Sequence, residues 1–165
     1  MAAAEQPRAG AAREPRPEWD EYFMNLAREV ARRSNCQRRH VGAIAVKNRT
    51  IISTGYNGTP FGVTNCDEGG CPRCAGDTPP GEGYDTCLCV HAEQNAIALA
   101  ARHGTSTEGA VIYSTLRPCF GCVKEMVQSG IGEVVYEEDI GYDAELEPVY
   151  SALVQEAGLR IRQHS

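Results

Sequence analysis

Two short stretches hold residue types that together do metal chemistry: His91-Ala92-Glu93 and Pro118-Cys119-Phe120-Gly121-Cys122. One imidazole and two thiolates from His91, Cys119 and Cys122 would give zinc three protein ligands, leaving the fourth tetrahedral position for water. Zinc lowers the pKa of such a water towards about 7, so hydroxide becomes available near neutral pH. Glu93, two residues past His91, is badly spaced to join it on the same metal but can reach the water. It is the candidate catalytic residue, placed to take a proton from water and deliver it to a substrate atom and a leaving group. Read alone, Cys119-x-x-Cys122 would also suit a redox pair, and His91-Ala92-Glu93 an ordinary helix surface. Their joint occurrence, each opening a helix after an apolar strand-like run, favours the metal reading.

The elements around these residues follow from periodicity. HAEQNAIALAARHG, opening at His91, reads as a helix ending near Gly104, and CFGCVKEMVQSG, opening at Cys119, as a second ending near Gly130. The expected ligands therefore lie at two helix N-termini, where the dipole favours thiolate over thiol, and Pro118 suits a helix start. A helix at about 18–35 carries Trp19, Phe23, Leu26 and Val30 on one stripe. VGAIAV (41–46) and TIISTGYN (50–57) read as a hairpin around Lys47-Asn48-Arg49. Strands follow at 110–115 and 132–136, then a helix at about 147–157 and an edge strand in GLRIRQ. Strands alternating with helices predict an α/β sandwich, with helices on both faces of one mixed sheet of about five strands.

Length and composition set outer limits. The 165 residues and 42% hydrophobic content suit one domain with one core, expected over 17–165, after a tail at 1–16 rich in Ala, Arg, Pro and Glu. No apolar run approaches the roughly 18 residues that would cross a membrane, and the N-terminus lacks a signal-peptide core, so a cytoplasmic protein is expected. In that reducing compartment eight cysteines are expected to serve metal or catalysis rather than disulfides. A net charge of −6, with the acidic stretch GEVVYEEDIGYDAELEP, argues against a nucleic-acid footprint and for a small substrate.

The irregular stretch 58–90 is long for a connection inside a compact domain, and it carries five of the eight cysteines. Cys66-x4-Cys71-x2-Cys74 followed by Cys87-x-Cys89 predicts a second zinc that orders this insert in place of an apolar core. Cys87 and Cys89 also suit small buried packing positions ahead of His91. Tyr56-Asn57-Gly58 reads on its own as a strand-ending turn.

The pattern H-x-E followed by P-C-x-x-C is the known signature of zinc nucleobase deaminases. Taken with WDEYFMNLA, RSNCQRRHVGAIAV, IISTGYNGTP, NCDEGGCPRC, CLCVHAEQNAI and LRPCFGCVKEMVQSGI, it makes the chain from Trp19 to Gln163 resemble the deoxycytidylate (dCMP) deaminase family. The resemblance implies a cytidine-deaminase-like three-layer α/β/α sandwich and zinc-dependent hydrolysis of dCMP to dUMP and ammonia. It places Asn57 against the deoxyribose and base, and Thr115 and Arg117 along the pocket. A structural zinc in some members uses positions matching Cys36 and Cys66, so Cys36, Cys66, Cys71 and Cys74 form the expected second set, with Cys87 and Cys89 as substitutes. Arg38, followed by Arg39 and His40, is the candidate for the 5′-phosphate, although such a run is often a solvated face. Many members are hexamers activated by dCTP with Mg2+ and inhibited by dTTP, so the same regulation and a homo-oligomer are expected by resemblance.

Two other classes stay open. A deaminase acting on another cytosine nucleoside or nucleotide, or on a tRNA adenosine, would keep the same zinc trio. A non-catalytic zinc-binding interaction module would explain the cysteines but leave Glu93 without a purpose.

Overall fold

The computed structural model describes residues 15–165, so the tail expected at 1–16 lies almost wholly outside the described residues. The chain runs α1 (Trp19–Ala31), β1 (Gly42–Lys47), β2 (Thr50–Tyr56), α2 (Pro72–Ala75), α3 (Ala92–Arg102), β3 (Val111–Leu116), α4 (Phe120–Gln128), β4 (Glu133–Glu138), α5 (Leu146–Glu156) and β5 (Arg160–Gln163). The five strands form one sheet in the order β2-β1-β3-β4-β5. β1 pairs antiparallel with both β2 and β3, whereas β3, β4 and β5 run parallel, so the sheet is mixed as the alternation predicted. The β1–β2 hairpin turns on Asn48 (φ 50°) and Arg49 (φ 61°); two successive left-handed residues give the twist that a tight hairpin needs.

Alternation along each strand separates two apolar layers. Ile44, Val46, Tyr113 and Val135 face α1, where they bury Phe23, Met24 and Ala27. Ala43, Ala45, Ile112 and Val134 face the other way and pack against Ala92, Ala96, Cys122, Val123, Met126, Tyr150 and Val154 of α3, α4 and α5. The result is three layers, with α1 on one face and α3, α4 and α5 on the other. Met24 and Ile44 are fully buried, and each such side chain contributes about 1.5–3 kcal/mol.

The first helix stops at Ala31, short of the expected 35. Ser34 accounts for the difference: its Oγ sits 2.7 Å from both the carbonyl oxygen and Oδ1 of Asn57, which draws the chain off the helix axis towards the end of β2.

Small residues let α3 sit low on the sheet. A Cβ on Gly55 of β2 would meet the Ala92 carbonyl oxygen at 2.1 Å and the Ala96 nitrogen at 2.5 Å. Any side chain at 55 would therefore push away the first turn of α3, which carries Glu93.

Candidate active site

His91 and Cys119 each occupy the N-cap of a helix, α3 and α4 respectively, just before the helical residues begin. Both helix starts lie beyond the carboxyl end of β3, the side of a parallel α/β sheet where sites form. His91 Nδ1 is 3.4 Å from the Sγ of Cys119 and 3.4 Å from the Sγ of Cys122. All three donor atoms lie within 4.8 Å of one another. Tetrahedral zinc with Zn–S near 2.3 Å and Zn–N near 2.0–2.1 Å separates its ligand atoms by about 3.5 Å, so this soft N/S/S set fits the ion. The Cys122 thiol beside it, and then the His91 ring and backbone at Cys122, hold the Cys119 thiol down to about 3 against the opposing effect of burial.

Glu93 is 4% exposed, and burial pushes its carboxyl above the usual carboxylate range despite the nearby backbone N–H and His91. Its Oε1 accepts a hydrogen bond from Ser114 Oγ at 3.1 Å, and its Oε2 lies 3.5 Å from the Cys122 sulfur. The carboxyl is thus fixed beside the three donors without being one of them. Ser114 is fully buried and was not anticipated from the sequence. The available signal was its place one alternation beyond Ile112, which puts it on the face of β3 that carries α3.

Other groups hold the two helix starts in register. The His91 N–H donates to Gln94 Oε1 at 2.9 Å, and Gln94 Nε2 donates in turn to Glu125 Oε1 of α4 at 2.7 Å, linking the two helices. Behind Cys119, the Phe120 N–H donates to Tyr142 Oη at 3.1 Å and Tyr150 Oη donates to the Pro118 carbonyl at 2.9 Å. Arg117 does not face the trio as a free cation. It pairs with Glu147 at 2.6 Å and Asp139 at 3.3 Å and lies 4.3 Å over the Tyr150 ring, anchoring α5 beneath the cysteine turn.

Asn57 is buried and pins the loop before β1. Its Oδ1 accepts from the Val41 N–H at 2.8 Å, and its Nδ2 donates to the Arg39 carbonyl at 2.8 Å. Gly58 makes no left-handed turn; it pairs antiparallel with Val90, closing the ends of the insert next to His91. Thr115 Oγ1 accepts from the Gly42 N–H at 3.1 Å. It also lines a cavity of about 150 Å³ on the α1 side, with Arg28, Arg39, His40, Val41 and Glu138. Arg38 lies elsewhere: its guanidinium donates to the carbonyls of Arg73 at 2.9 Å and Thr78 at 2.6 Å, inside the insert.

The remaining six cysteines form one cluster. Cys36, Cys66 and Cys71 are buried, with Cys74, Cys87 and Cys89 packed on them, and none of the eight cysteines is in a disulfide. Cys66 groups with Cys71 and Cys74, whereas Cys36 groups with Cys66 and Cys89. Burial opposes ionisation of Cys71, but backbone N–H groups of Leu88, Cys74 and Arg73 outweigh it and bring the thiol down to about 6. Arg73, itself buried, donates to the Glu82 carbonyl at 2.7 Å and stacks 4.1 Å over Tyr84, ordering the outer part of the insert.

A mixed five-stranded sheet with His/Cys/Cys donors at two helix starts and a buried carboxyl beside them defines the cytidine-deaminase-like class. The model for the cytidine and deoxycytidylate deaminase zinc-binding region matches residues 17–138, and the chain belongs to that family. It is 46% identical over 149 residues to a deoxycytidylate deaminase of Schizosaccharomyces pombe, covering 90% of this chain and 45% of that protein. It is 42% identical over 129 residues to that of Mycobacterium phage D29, covering 75% of this chain and 98% of the phage protein. The chain thus spans about half the length of its yeast relatives, the Saccharomyces cerevisiae protein being 46% covered. The dCMP deaminase of cyanophage S-TIM5, solved in complex with dCMP and dUMP, superposes with a TM-score of 0.69 at 32% identity, over 92% of this chain and 100% of that one. No helix among the described residues is long and apolar enough to cross a membrane.

Proposed function

We propose that the protein hydrolyses dCMP to dUMP and ammonia. The observation that carries this reading is the buried Glu93 carboxyl, held by Ser114 beside the mutually close His91, Cys119 and Cys122. The similarity to deoxycytidylate deaminases over most of the chain supports dCMP as the substrate. Zinc, when bound by the trio, supplies Lewis acidity that makes water a competent nucleophile near neutral pH. Glu93 takes a proton from water as oxygen adds to C4, passes it to N3 of the ring, and then carries a second proton to the departing amine. Atoms balance as dCMP plus water giving dUMP plus ammonia. Ser114 positions the carboxyl for both transfers, and its burial excludes bulk water that would compete for the proton. Asn57 is a positioning residue in this scheme, since it holds the Arg39–Val41 backbone against β2.

Arg39 and His40, which line the cavity beside Thr115, replace Arg38 as candidates for the 5′-phosphate, because the Arg38 guanidinium is committed to backbone carbonyls and that of Arg28 to Glu21 and Glu137. In the same reading the cysteine cluster holds a structural zinc that orders 58–90. The same reading includes homo-oligomerisation, control by dCTP with Mg2+ or by dTTP, and a cytoplasmic location, each supported by the family likeness alone. A nucleoside deaminase is the alternative the assay must separate.

Turnover of dCMP and of deoxycytidine by the purified protein, followed by absorbance and ammonia release, tests the proposal. Binding energy from the phosphate is used in the transition state, so kcat/KM for deoxycytidine should be lower by about 10²-fold or more. Equal efficiency on the two would assign the site to a nucleoside substrate.

A further inference from the structure

Six sulfurs in one cluster are too many for one zinc and too few for two independent tetrathiolate sites. Cys36, Cys66 and Cys89 form one close triad, Cys66, Cys71 and Cys74 a second, and Cys71, Cys87 and Cys89 a third, each with its sulfurs within 4.8 Å of one another. A tetrahedral thiolate zinc takes about four sulfurs, which would leave two thiols of this set without a metal. Two separate sites of that kind would need about eight. Six sulfurs make eight metal–sulfur bonds when two of them bridge.

The overlap of the triads supplies the bridging positions. Cys66, Cys71 and Cys89 each belong to two triads, whereas Cys36, Cys74 and Cys87 belong to one. The first three come from different parts of the insert, and Cys89 is brought to the others by the pairing of Gly58 with Val90. Among the described residues no aliphatic or aromatic side chain is part of this cluster, so thiols make up its interior. Six thiolates with two zinc ions carry a net −2, the same as four thiolates with one zinc and two neutral thiols, so charge does not oppose the second metal. The buried guanidinium of Arg73, which lies between Cys71 and Cys74 in sequence, adds a positive charge beside the cluster.

We infer that the insert holds a binuclear zinc–thiolate centre, with Cys36, Cys74 and Cys87 as terminal ligands and two of Cys66, Cys71 and Cys89 bridging the metals. The centre rests on the structural-zinc reading above and goes beyond it in the number of metals and the use of all six cysteines. Its metals replace an apolar core for 58–90, and folding of the insert is coupled to both.

The test is zinc content of the full chain, purified without chelator from zinc-supplemented cells, by elemental analysis and native mass spectrometry. The expected value is about three zinc per chain, one at the His91 trio and two in the cluster. About two would overturn the binuclear centre while leaving a single structural zinc in place. About one would overturn both. Exchange of wild-type protein into 113Cd gives a second measurement that needs no variant: two tetrathiolate resonances coupled through shared sulfur are expected, and a single uncoupled one contradicts the proposal. Cys87→Ser should lower the zinc content of the cluster, whereas unchanged content would remove Cys87 from it.

Discussion

Glu93→Gln is expected to reduce kcat on dCMP by roughly 10²–10⁴-fold while leaving zinc content unchanged. The substitution keeps the shape of the side chain and its contact with Ser114, 3.1 Å away, but removes the group that can accept and return a proton. Among the described residues no other carboxylate hydrogen-bonds to Ser114, Cys122 or the His91 ring, so no neighbour takes over the transfer. Because Gln matches Glu in size and can still accept the hydrogen bond from Ser114, and because burial already disfavours the charged form of the native carboxyl, the amide should not lower thermal stability. Metal analysis and a melting curve beside the kinetics separate a lost proton carrier from a lost site. Near-normal turnover in this variant would remove Glu93 from the reaction.

Cys119→Ala should abolish activity by a different route, through the metal. With one thiolate gone, His91 and Cys122 make a two-ligand site that holds zinc weakly, so the variant should lose the catalytic zinc together with about 99% or more of its activity. Cys119 is the better probe of the two cysteines, because Cys122 is fully buried in the main core and its truncation would also leave a cavity. Cys119 lies at the partly exposed start of α4, so its loss should leave the fold intact by circular dichroism. Zinc remaining at the trio with full turnover would show that Cys119 is not a ligand. The cluster metals should be untouched, since the two cysteine groups share no ligand.

The contrast between the two sites shows what a linear pattern carries. His91, Glu93, Cys119 and Cys122 could be read from sequence because each ligand pair sits on a few consecutive residues at the start of an amphipathic helix, and helix geometry fixes their relative positions. The sheet and its two apolar faces were readable for the same local reason, the period-two alternation in β1, β3 and β4. The six-cysteine cluster was only partly readable. Cys36 precedes β1 and Cys89 follows the whole insert, and they meet through the Gly58–Val90 bridge, a pairing that no periodicity announces. Arg38 shows the opposite error: a basic run next to a site suggests a phosphate ligand, whereas three backbone carbonyls of the insert take up its donors. The support of Cys119 by Tyr142, Tyr150 and Arg117 was hidden too, because it joins β3's end to residues beyond β4 through contacts without a sequence period.

The most direct test of the account is the fate of the oxygen when wild-type protein turns over dCMP in 18O-enriched water. Hydrolysis at C4 predicts dUMP carrying one 18O at O4 and one ammonia for each dCMP consumed, with both products lost in Glu93→Gln. Absence of any dUMP or ammonia from zinc-loaded, folded wild-type protein would contradict it.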